Sequence, residues 1–291
     1  MAPAETCKEG GPTLANGNCT NPGPDGLPVQ CVGPWAKDKH DYLGRYIEAT
    51  HGPRSKYLVA DGGRPAGGAA FVDLFAGPGR ARVRTTGEII DGSPLVAARH
   101  ADAPFTKLIL ADLAPENVEA LGQRLDQDQT KRAKLIVGDC NETIDEIVKH
   151  VPPYGLNIAL IDAFKLRPLS YQTIAKLARV KRMDLVIHFP TMDIKRNFAE
   201  HEPFITRFLG TDGWKQRVRS AQQAVGLIDV LKEQLGAFGY KQDKVRSLEI
   251  KNTTGNVLYH LVYATKDPLG SKIWQSIAKT TPSGQRSLFG D

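Results

Sequence analysis

Five short apolar runs dominate residues 69–190, and segments with helical spacing of apolar residues separate them. The runs are AAFVDLF, TKLILAD, AKLIVGD, LNIALIDAF and MDLVIHFP. The segments between them are SPLVAARHA, PENVEALGQRLDQ, NETIDEIVKHV and LSYQTIAKLARV. Near-continuous apolar runs that alternate with helices are typical of a parallel sheet covered on both faces. We therefore predict five parallel strands.

The two ends of this region depart from the alternation. Before it, WAKDKHDYLGRYIEAT predicts an amphipathic helix. After it, a long helix is predicted over WKQRVRSAQQAVGLIDVLKEQLGAFG. Two strand-like runs follow, KVRSLEIKN and VLYHLVYATKD, and the short turn TTGN between them predicts a β-hairpin. The predicted fold class is α/β: a Rossmann-like methyltransferase sheet of five parallel strands plus a C-terminal antiparallel β-hairpin, with helices on both faces. A dehydrogenase domain would continue with further parallel strands instead.

Composition divides the chain into three parts. Residues 1–33 are rich in Gly, Pro and Asn, which predicts an extended or partly disordered arm. Residues 34–280 are predicted to form the methyltransferase-like domain with its N-terminal helix, and residues 281–291 a flexible tail. Cys7, Cys19 and Cys31 lie in the arm, without a C-x-x-C pair and without an export signal. We therefore expect free thiols rather than disulfides or a zinc site.

The chain is modestly basic, with 38 Lys and Arg against 32 Asp and Glu and a net charge of +6. Such an excess permits a polyanionic partner without requiring one. No apolar run approaches the roughly 20 residues that a membrane-spanning helix needs, and the N-terminus lacks the regions of a signal peptide. We expect a cytoplasmic protein that does not associate with membranes.

The first predicted strand ends in a glycine turn, Asp73-x-Phe75-x-Gly77-x-Gly79. Glycines let the backbone approach a ligand closely, and open α/β sheets bind ligands outside the carboxyl ends of their strands. A plain strand-to-helix turn is the alternative.

Acidic residues end the next two predicted strands. Asp112 ends the second strand, and Asp139, which Cys140 follows, ends the third. Asp112 is placed to accept the ribose hydroxyls of a nucleoside, and the Asp139–Cys140 turn to contact an adenine amino group. These acids could instead cap the following helices. Their succession after a glycine turn favours a nucleoside site.

The fourth predicted strand ends in Asp162-Ala163-Phe164. Asp162 could orient or deprotonate an acceptor group, and Phe164 could stack on a base. The alternative is a turn-forming Asp162 and a core Phe164. His188, near the end of the fifth strand, is either a base or a hydrogen-bonded structural histidine.

Basic residues without acids follow that turn from residue 163 to residue 183, and others flank the glycine turn. This pattern suits a phosphate backbone, although a solvated helix face is the alternative. The predicted nucleic-acid contacts are Arg80, Arg82, Arg84, Lys165, Arg167, Arg179, Lys181, Arg182 and Arg196.

Several segments resemble the three-Cys-motif partner proteins over roughly residues 30–290: WAKDKH, FVDLFAGPGRAR, GSPLVAA, the strand ending at Gly138-Asp139, LIDAF and DLVIHFPTMDIKRN. These bacterial and phage proteins are often encoded beside a radical-SAM-like protein that carries the three cysteines. The resemblance implies a methyltransferase-like fold, a link to DNA repair or modification, and a radical-SAM-like partner. The residues that match family positions are Asp73, Phe75, Gly77, Gly79, Asp139, Asp162, Phe164, Arg196 and Asn197. The family usually has Asp-Pro-aromatic-Gly where this chain has Asp162-Ala163-Phe164-Lys165.

The favoured hypothesis is an S-adenosylmethionine-dependent methyltransferase-like protein that acts on nucleic acid, DNA before RNA. In it Gly77 and Gly79 admit the methionine end of the cofactor, while Asp112 and Asp139 hold the ribose and the adenine. One alternative is a non-catalytic nucleic-acid-binding partner of another enzyme, and a second is a nuclease with Mg²⁺ held by strand-end acids. The tail residues Gln285 to Phe289 also resemble the short Gln-x-x-Leu-Phe peptides that bind bacterial sliding clamps.

Overall fold

The computed structural model describes residue 19 and residues 21–60, 66–100 and 102–282. The strands in these residues are β1 Gln30–Val32, β2 Ala70–Asp73, β3 Arg80–Val83, β4 Ile89–Asp91, β5 Lys107–Asp112, β6 Ala133–Val137, β7 Asn157–Ile161, β8 Met183–Phe189, β9 Val245–Lys251 and β10 Val257–Ala264. The α-helices are α1 Ala36–Ala49, α2 His51–Leu58, α3 Ser93–Ala98, α4 Pro115–Arg124, α5 Gln127–Arg132, α6 Cys140–His150, α7 Tyr171–Ala178, α8 Thr191–Arg196, α9 Phe198–Leu209, α10 Gly226–Gly236 and α11 Pro268–Ala278. None of these helices has the length and apolarity to cross a membrane.

Seven strands form the main sheet in the order β6-β5-β2-β7-β8-β10-β9. Strands β6, β5, β2, β7 and β8 are mutually parallel, and β10 lies antiparallel to both β8 and β9. This order, with an antiparallel strand inserted beside the fifth parallel one, is that of the Rossmann-like methyltransferase sheet. The predicted fold class is therefore confirmed.

Both faces of the sheet are buried, because helices cover each of them. In β7, Ala159 and Ile161 point into one core, which includes residues of α6, α7, α9 and α10. Ile158 and Leu160 point into the other core, which includes residues of α1, α3, α4 and α11. Burial on both sides explains why the parallel strands are apolar along nearly their whole length.

Several helices begin where the sequence supplies a cap. Asp139 accepts a hydrogen bond from the Asn141 backbone N–H at 2.7 Å at the start of α6. Asp267 does the same for Leu269 at the start of α11, at 2.8 Å. Each of these carboxylates satisfies a backbone N–H that the helix leaves without an internal partner.

The glycine turn does not enter a helix directly, contrary to the plain strand-to-helix alternative. It leads into β3 and β4, which form a small three-stranded sheet with β1. The helix that follows β2 in the main sheet, α3, begins only at Ser93. Its preceding residue Gly92 donates its backbone N–H to the Gly79 carbonyl at 2.7 Å, so the inserted strands return the chain to the turn.

The last part of the predicted arm contains a strand that packs against the rest of the protein. β1 pairs in parallel with β3, and Val29 is fully buried. Cys19 and Cys31 form a disulfide with their Cα atoms 5.3 Å apart, so the expectation of free thiols is wrong for this pair. That expectation rested on the cellular compartment, whereas the pairing depends on a strand that the sequence did not reveal. Cys7 lies outside the described residues.

The long helix predicted from Trp214 to Gly239 is also wrong. Two short 3₁₀ turns, Gly213–Gln216 and Ala221–Gln223, precede α10. Ser220 between them has extended backbone angles, and Trp214 is buried with its indole N–H donated to Thr206 at 2.9 Å. Tertiary burial of the tryptophan thus outweighs the local helical pattern.

Candidate functional site

The glycine turn lies at the carboxyl end of β2, between β5 and β7. Gly77 and Gly79 have positive φ angles of 60° and 86°, which residues with a Cβ rarely adopt. A Cβ on Gly79 would lie 2.8 Å from Leu121 Cδ1. The turn therefore requires glycine for its backbone conformation and, at Gly79, for close packing on α4.

Asp112 connects the end of β5 to this turn. Its Oδ2 accepts the Gly77 N–H at 2.8 Å, and its Oδ1 accepts the Ala114 N–H and the Asn117 side-chain amide, each at 2.9 Å. A carboxylate has about four acceptor positions, so one remains on Oδ2. The following residue, Leu113, is 69% exposed although it is apolar. Asp112 thus both caps α4 and retains capacity for one more donor.

Asp73 is fully buried beneath the turn. Its carboxylate accepts the Ser93 hydroxyl at 2.6 Å and the Phe75 N–H at 3.1 Å. Burial raises the pKa of Asp73 to about 7, and these two hydrogen bonds oppose the shift. Asp73 therefore joins β2 to the start of α3.

At the end of β6, Asp139 caps α6 as the alternative prediction anticipated, and this carboxylate also accepts the Asn141 side-chain amide at 2.7 Å. The Cys140 thiol is buried in the core, and burial raises its pKa to about 12. It is therefore a neutral core side chain at pH 7. Asp139, in contrast to Cys140, is partly exposed.

Asp162 follows β7, and its carboxylate forms an ion pair with the Lys39 ammonium of α1. The two side chains are only 7% and 6% exposed. The second carboxylate oxygen, Oδ1, has no hydrogen-bond partner among the described residues. An unpaired buried oxygen costs free energy, so this atom is the natural acceptor for a ligand's donor group.

Phe164 is 51% exposed, so the alternative interpretation that it belongs to the core is wrong. The Lys39 ammonium lies 5.4 Å from the centroid of its ring. An exposed ring beside a buried ion pair offers a flat apolar surface next to charge.

His188 is buried on the other side of Asp162. Its Nδ1–H donates a hydrogen bond to the Ala163 carbonyl at 2.7 Å. The centroid of its ring lies 4.2 Å from that of the Tyr259 ring. Burial lowers the pKa of His188 to about 4. A neutral His188 that holds the Ala163 carbonyl agrees with the structural alternative rather than with a base.

A cavity of about 20 Å³ lies between the glycine turn and Asp162. Its inner wall includes Gly79, Ser93 and Asp162, and its outer wall includes Gln30 and Val32 of β1. This volume holds about one water molecule. Gln30 and Val32 belong to residues 21–32, which we call the N-terminal strap and which thus border the site.

Arg124 of α4 fixes the strap. Its guanidinium donates to both carboxylate oxygens of Asp25 at 2.9 Å, to the Pro28 carbonyl at 2.8 Å and to the Pro78 carbonyl at 2.5 Å. The Arg124 guanidinium, ahead of other causes, lowers the pKa of Asp25 to about 2. The strap and the glycine turn are therefore held by one side chain.

Three arginines predicted to contact nucleic acid hold the strap instead. Arg80 pairs with Asp25 at 2.9 Å, and the buried Arg82 donates to the Pro22 carbonyl at 2.9 Å. Arg84 lies 3.5 Å from the Cys31 carbonyl. Arg80 and Arg82 lie in β3, which pairs with β1, and Arg84 follows it, so all three reach the strap, while Arg80 also lines the cavity.

The remaining predicted basic residues divide between the two edges of the sheet. Lys165, Arg167 and Arg196 follow β7 and β8 and are exposed at the carboxyl edge, near Asp162. Arg179, Lys181 and Arg182 precede β8 and lie at the opposite edge, where the Arg182 carbonyl accepts the Asn157 N–H at 2.9 Å. The prediction that all of them surround one crevice is wrong, because α7 carries the chain from one edge to the other.

Sequence reasoning missed Lys39, Leu113 and Arg124. Lys39 lies in the WAKDKH segment that resembles the three-Cys-motif partners, which was the only sequence signal for it. No group of three or more His, Cys, Asp or Glu residues within residues 19, 21–60, 66–100 and 102–282 is arranged to hold a metal ion.

Comparison with known proteins gives structural neighbours only. No protein-family model matches the sequence, and no curated protein matches it. A Legionella pneumophila protein superposes with a TM-score of 0.48 and 10% identity, over 85% of this chain and 94% of that one. TYW2 of M. jannaschii, solved with AdoMet, gives 0.42 and 10% over 86% and 85%. An O-methyltransferase from Bacillus cereus, solved with SAH, gives 0.44 and 9% over 81% and 82%.

Proposed function

We propose that this protein is an S-adenosylmethionine-dependent methyltransferase whose cofactor lies over the glycine turn. The observation that carries the proposal is the position of the turn. Neighbouring strands run in sequence from β2 to β5 and β6 on one side, and from β7 to β8 on the other. The crevice between β2 and β7 is therefore the topological switch point, where open α/β sheets bind their ligands.

The residues at this edge fit the cofactor in chemistry. Asp112 keeps an acceptor position for a ribose hydroxyl, the exposed Leu113 offers an apolar surface to an adenine, and Asp139 lies on the adenine side. Gly77 and Gly79 would admit the methionine end, with Asp73 and Phe75 supporting the turn. When bound, the cofactor would supply a methyl group already activated by its sulfonium. A nucleoside is larger than the present cavity, so binding requires the strap to move outward.

Asp162, Lys39 and Phe164 are the residues that would receive the acceptor. The unpartnered Asp162 Oδ1 would accept a hydrogen bond from an N–H or O–H group of the acceptor and orient it. Phe164 would stack on a base. Lys39 would hold the buried Asp162 carboxylate in position while the acceptor binds, because the two side chains form an ion pair.

Nucleic acid is the proposed acceptor class. Lys165, Arg167 and Arg196 offer exposed positive charge around Asp162 for phosphate groups. The resemblance to the three-Cys-motif partners favours DNA over RNA, a role in DNA repair or modification, and a radical-SAM-like partner. The proposed clamp-binding peptide, Gln285 to Phe289, lies outside the described residues.

Calorimetric titration with S-adenosylmethionine tests the cofactor proposal. We expect binding to wild type and its loss in Gly77→Arg, because the new side chain would enter the turn. Gly255→Arg is the matched control, since Gly255 also has a positive φ angle, of 82°, but lies in the β9–β10 turn with open space around it. Absence of binding to wild type at millimolar ligand would contradict the proposal.

A second candidate function is a methyltransferase fold that binds nucleic acid without catalysis. The small cavity and the Lys39–Asp162 ion pair favour it, because the cavity is too small for an acceptor and the ion pair already occupies one oxygen of Asp162. Labelled-methyl transfer to DNA and RNA separates the two candidates. Cofactor binding without transfer supports the second, whereas transfer that Asp162→Asn abolishes supports the first.

A further inference from the structure

A second basic surface lies at the amino ends of the strands, on the edge of the sheet opposite the candidate site. We define this amino-edge surface by Lys107, Tyr154, Arg179, Lys181, Arg182 and Lys266. Lys107 begins β5, Tyr154 precedes β7, and Lys181 and Arg182 precede β8. Lys266 follows β10, and because β10 is antiparallel its end meets the start of β8.

Three cations of this surface have no acidic partner among the described residues. Lys107, Arg179 and Lys181 are exposed and form no ion pair with any residue that the structure describes. Lys176, one helical turn before Arg179, pairs with Asp145 and is therefore not included. The acids at this edge include Asp102, which is exposed, Asp267, which accepts the Leu269 N–H, and Asp184, which is buried. Asp128 before β6 and Asp243 before β9 are also exposed here, and they pair with Arg132 and Lys244.

Two of the cations, Arg182 and Lys266, are held in place around a cavity of about 180 Å³, whose lining also includes the acids Asp184 and Asp267. The Lys266 ammonium donates to the Ala178 and Val180 carbonyls at 2.7 and 2.9 Å, which leaves one of its three N–H groups for a ligand. Arg182 donates to the Tyr154 carbonyl at 3.2 Å, and its guanidinium lies over the Tyr57 ring at 5.3 Å. Cations fixed before binding lose little conformational entropy when a phosphate arrives.

Tyr154 presents an aromatic ring beside these cations, and it is 69% exposed. Its backbone is tied to neighbouring segments, because its carbonyl accepts the Arg182 guanidinium at 3.2 Å and the nearby Leu156 N–H is donated to the Gly68 carbonyl at 3.2 Å. A rigidly mounted, exposed ring among unpaired cations is the arrangement that single-stranded nucleic acids use, with bases stacked and phosphates paired.

We infer that the amino-edge surface binds single-stranded nucleic acid, with a base stacked on Tyr154 and phosphates on Lys107, Lys181 and Arg182. This surface is separate from the methyl-transfer site, and the inference does not depend on the proposed function. The phosphates of a duplex could pair with the cations, but its bases could not stack on Tyr154, because they are already stacked on one another.

Fluorescence anisotropy with a labelled oligonucleotide of about 20 deoxythymidines or uridines tests the inference. We expect Lys107→Glu/Lys181→Glu to weaken binding at least about tenfold and to flatten the slope of log affinity against log salt by about 1.4, at roughly 0.7 per lost phosphate contact. We expect Tyr154→Ala to weaken binding about tenfold with the slope unchanged, because stacking releases no counterions.

Arg219→Glu/Lys279→Glu is the matched control. It changes the net charge equally at exposed positions outside the amino-edge surface, without a recorded ion pair at either residue. Lys107→Gln/Lys181→Gln, which removes charge without reversing it, gives the same flattening if the charge-reversal variant fails to fold. The inference is overturned if the control weakens binding equally, if Tyr154→Ala changes nothing, or if only phosphatidylserine vesicles bind. Cofactor calorimetry on the same variants should be unchanged, which separates this result from the proposed function.

Discussion

Lys39 and Asp162 form a buried ion pair although 123 residues separate them in the sequence. The pair joins the N-terminal helix α1 to the carboxyl end of β7, next to the glycine turn. Only one oxygen of Asp162 takes part, and the other has no hydrogen-bond partner in the part of the chain that the structure describes. The same contact therefore holds α1 on the sheet and presents a polarised acceptor to the cavity.

Removing Lys39 alone should destabilise the protein more than removing both partners. Lys39→Met leaves a buried carboxylate without its counter-ion, which costs about 3–5 kcal/mol. Lys39→Met/Asp162→Leu removes both charges and should recover most of that loss. Urea unfolding of the two single variants and the double variant gives the coupling energy directly. Additive losses would mean that the pair does not interact.

Sequence reasoning located the strands of the main sheet because double-sided burial makes each of them apolar along its length. It placed the glycine turn and Asp112, Asp139 and Asp162 at one edge, since parallel strands end together. Whether these residues bind a cofactor or acceptor remains a prediction. Lys39 could not be assigned from local pattern, because its partner is distant in the chain and its neighbours are polar.

The expectations that concerned the N-terminal arm and β3 departed from the structure for one physical reason. The strap and the disulfide depend on β1, a three-residue strand whose pairing with β3 is non-local. The arginines of β3 looked like phosphate ligands because their partners in the strap were not recognisable. Composition rich in Gly and Pro suggested disorder, but Arg124 fixes that segment from α4.

The unfolding free energy should depend on pH through Asp184, whose carboxylate accepts a hydrogen bond from the Tyr46 hydroxyl at 2.6 Å. Burial raises the pKa of Asp184 from 3.8 to about 6. Because the folded state holds the proton more tightly, this contribution is complete below about pH 4 and is lost as the pH rises through 6. The unfolding free energy of wild type relative to Asp184→Asn should fall by on the order of 2 kcal/mol across that range. A difference in unfolding free energy between the two proteins that stays constant with pH would exclude a contribution from the Asp184 proton.

The Cys19–Cys31 disulfide closes a loop of twelve residues, and its loss should destabilise the folded state. Peptide mapping without reductant should recover the linked pair. Cys19→Ser/Cys31→Ser should lower the unfolding free energy by about 2–4 kcal/mol. Dithiothreitol should lower the unfolding free energy of wild type to that of the variant and leave the unfolding free energy of the variant unchanged. An equal response of both proteins to dithiothreitol would assign the effect to other cysteines.

The two glycines of the turn should differ in their tolerance of alanine. Both positions have positive φ angles, which cost about 1–2 kcal/mol for a residue with a Cβ. Gly79→Ala also places its methyl 2.8 Å from Leu121, whereas Gly77→Ala meets only the flexible end of Gln30 at 3.3 Å. Overpacking should make Gly79→Ala less stable than Gly77→Ala by about 1–3 kcal/mol in urea unfolding. Equal losses would show that α4 moves away without cost.

Arg124→Ala should release the strap without unfolding the sheet. The Arg124 side chain is only 2% exposed, and its donors hold Asp25 and two backbone carbonyls. Charge-assisted hydrogen bonds contribute about 1.5–3 kcal/mol each, so amide exchange in residues 21–32 should accelerate at least about tenfold, while β7 and β8 remain protected. Arg217→Ala, which removes an exposed ion pair with Glu233, is the control and should leave strap exchange unchanged. If the strap is the barrier to the cavity, S-adenosylmethionine should also associate faster with Arg124→Ala. An unchanged association rate beside faster exchange would mean that the ligand enters elsewhere, over Leu113.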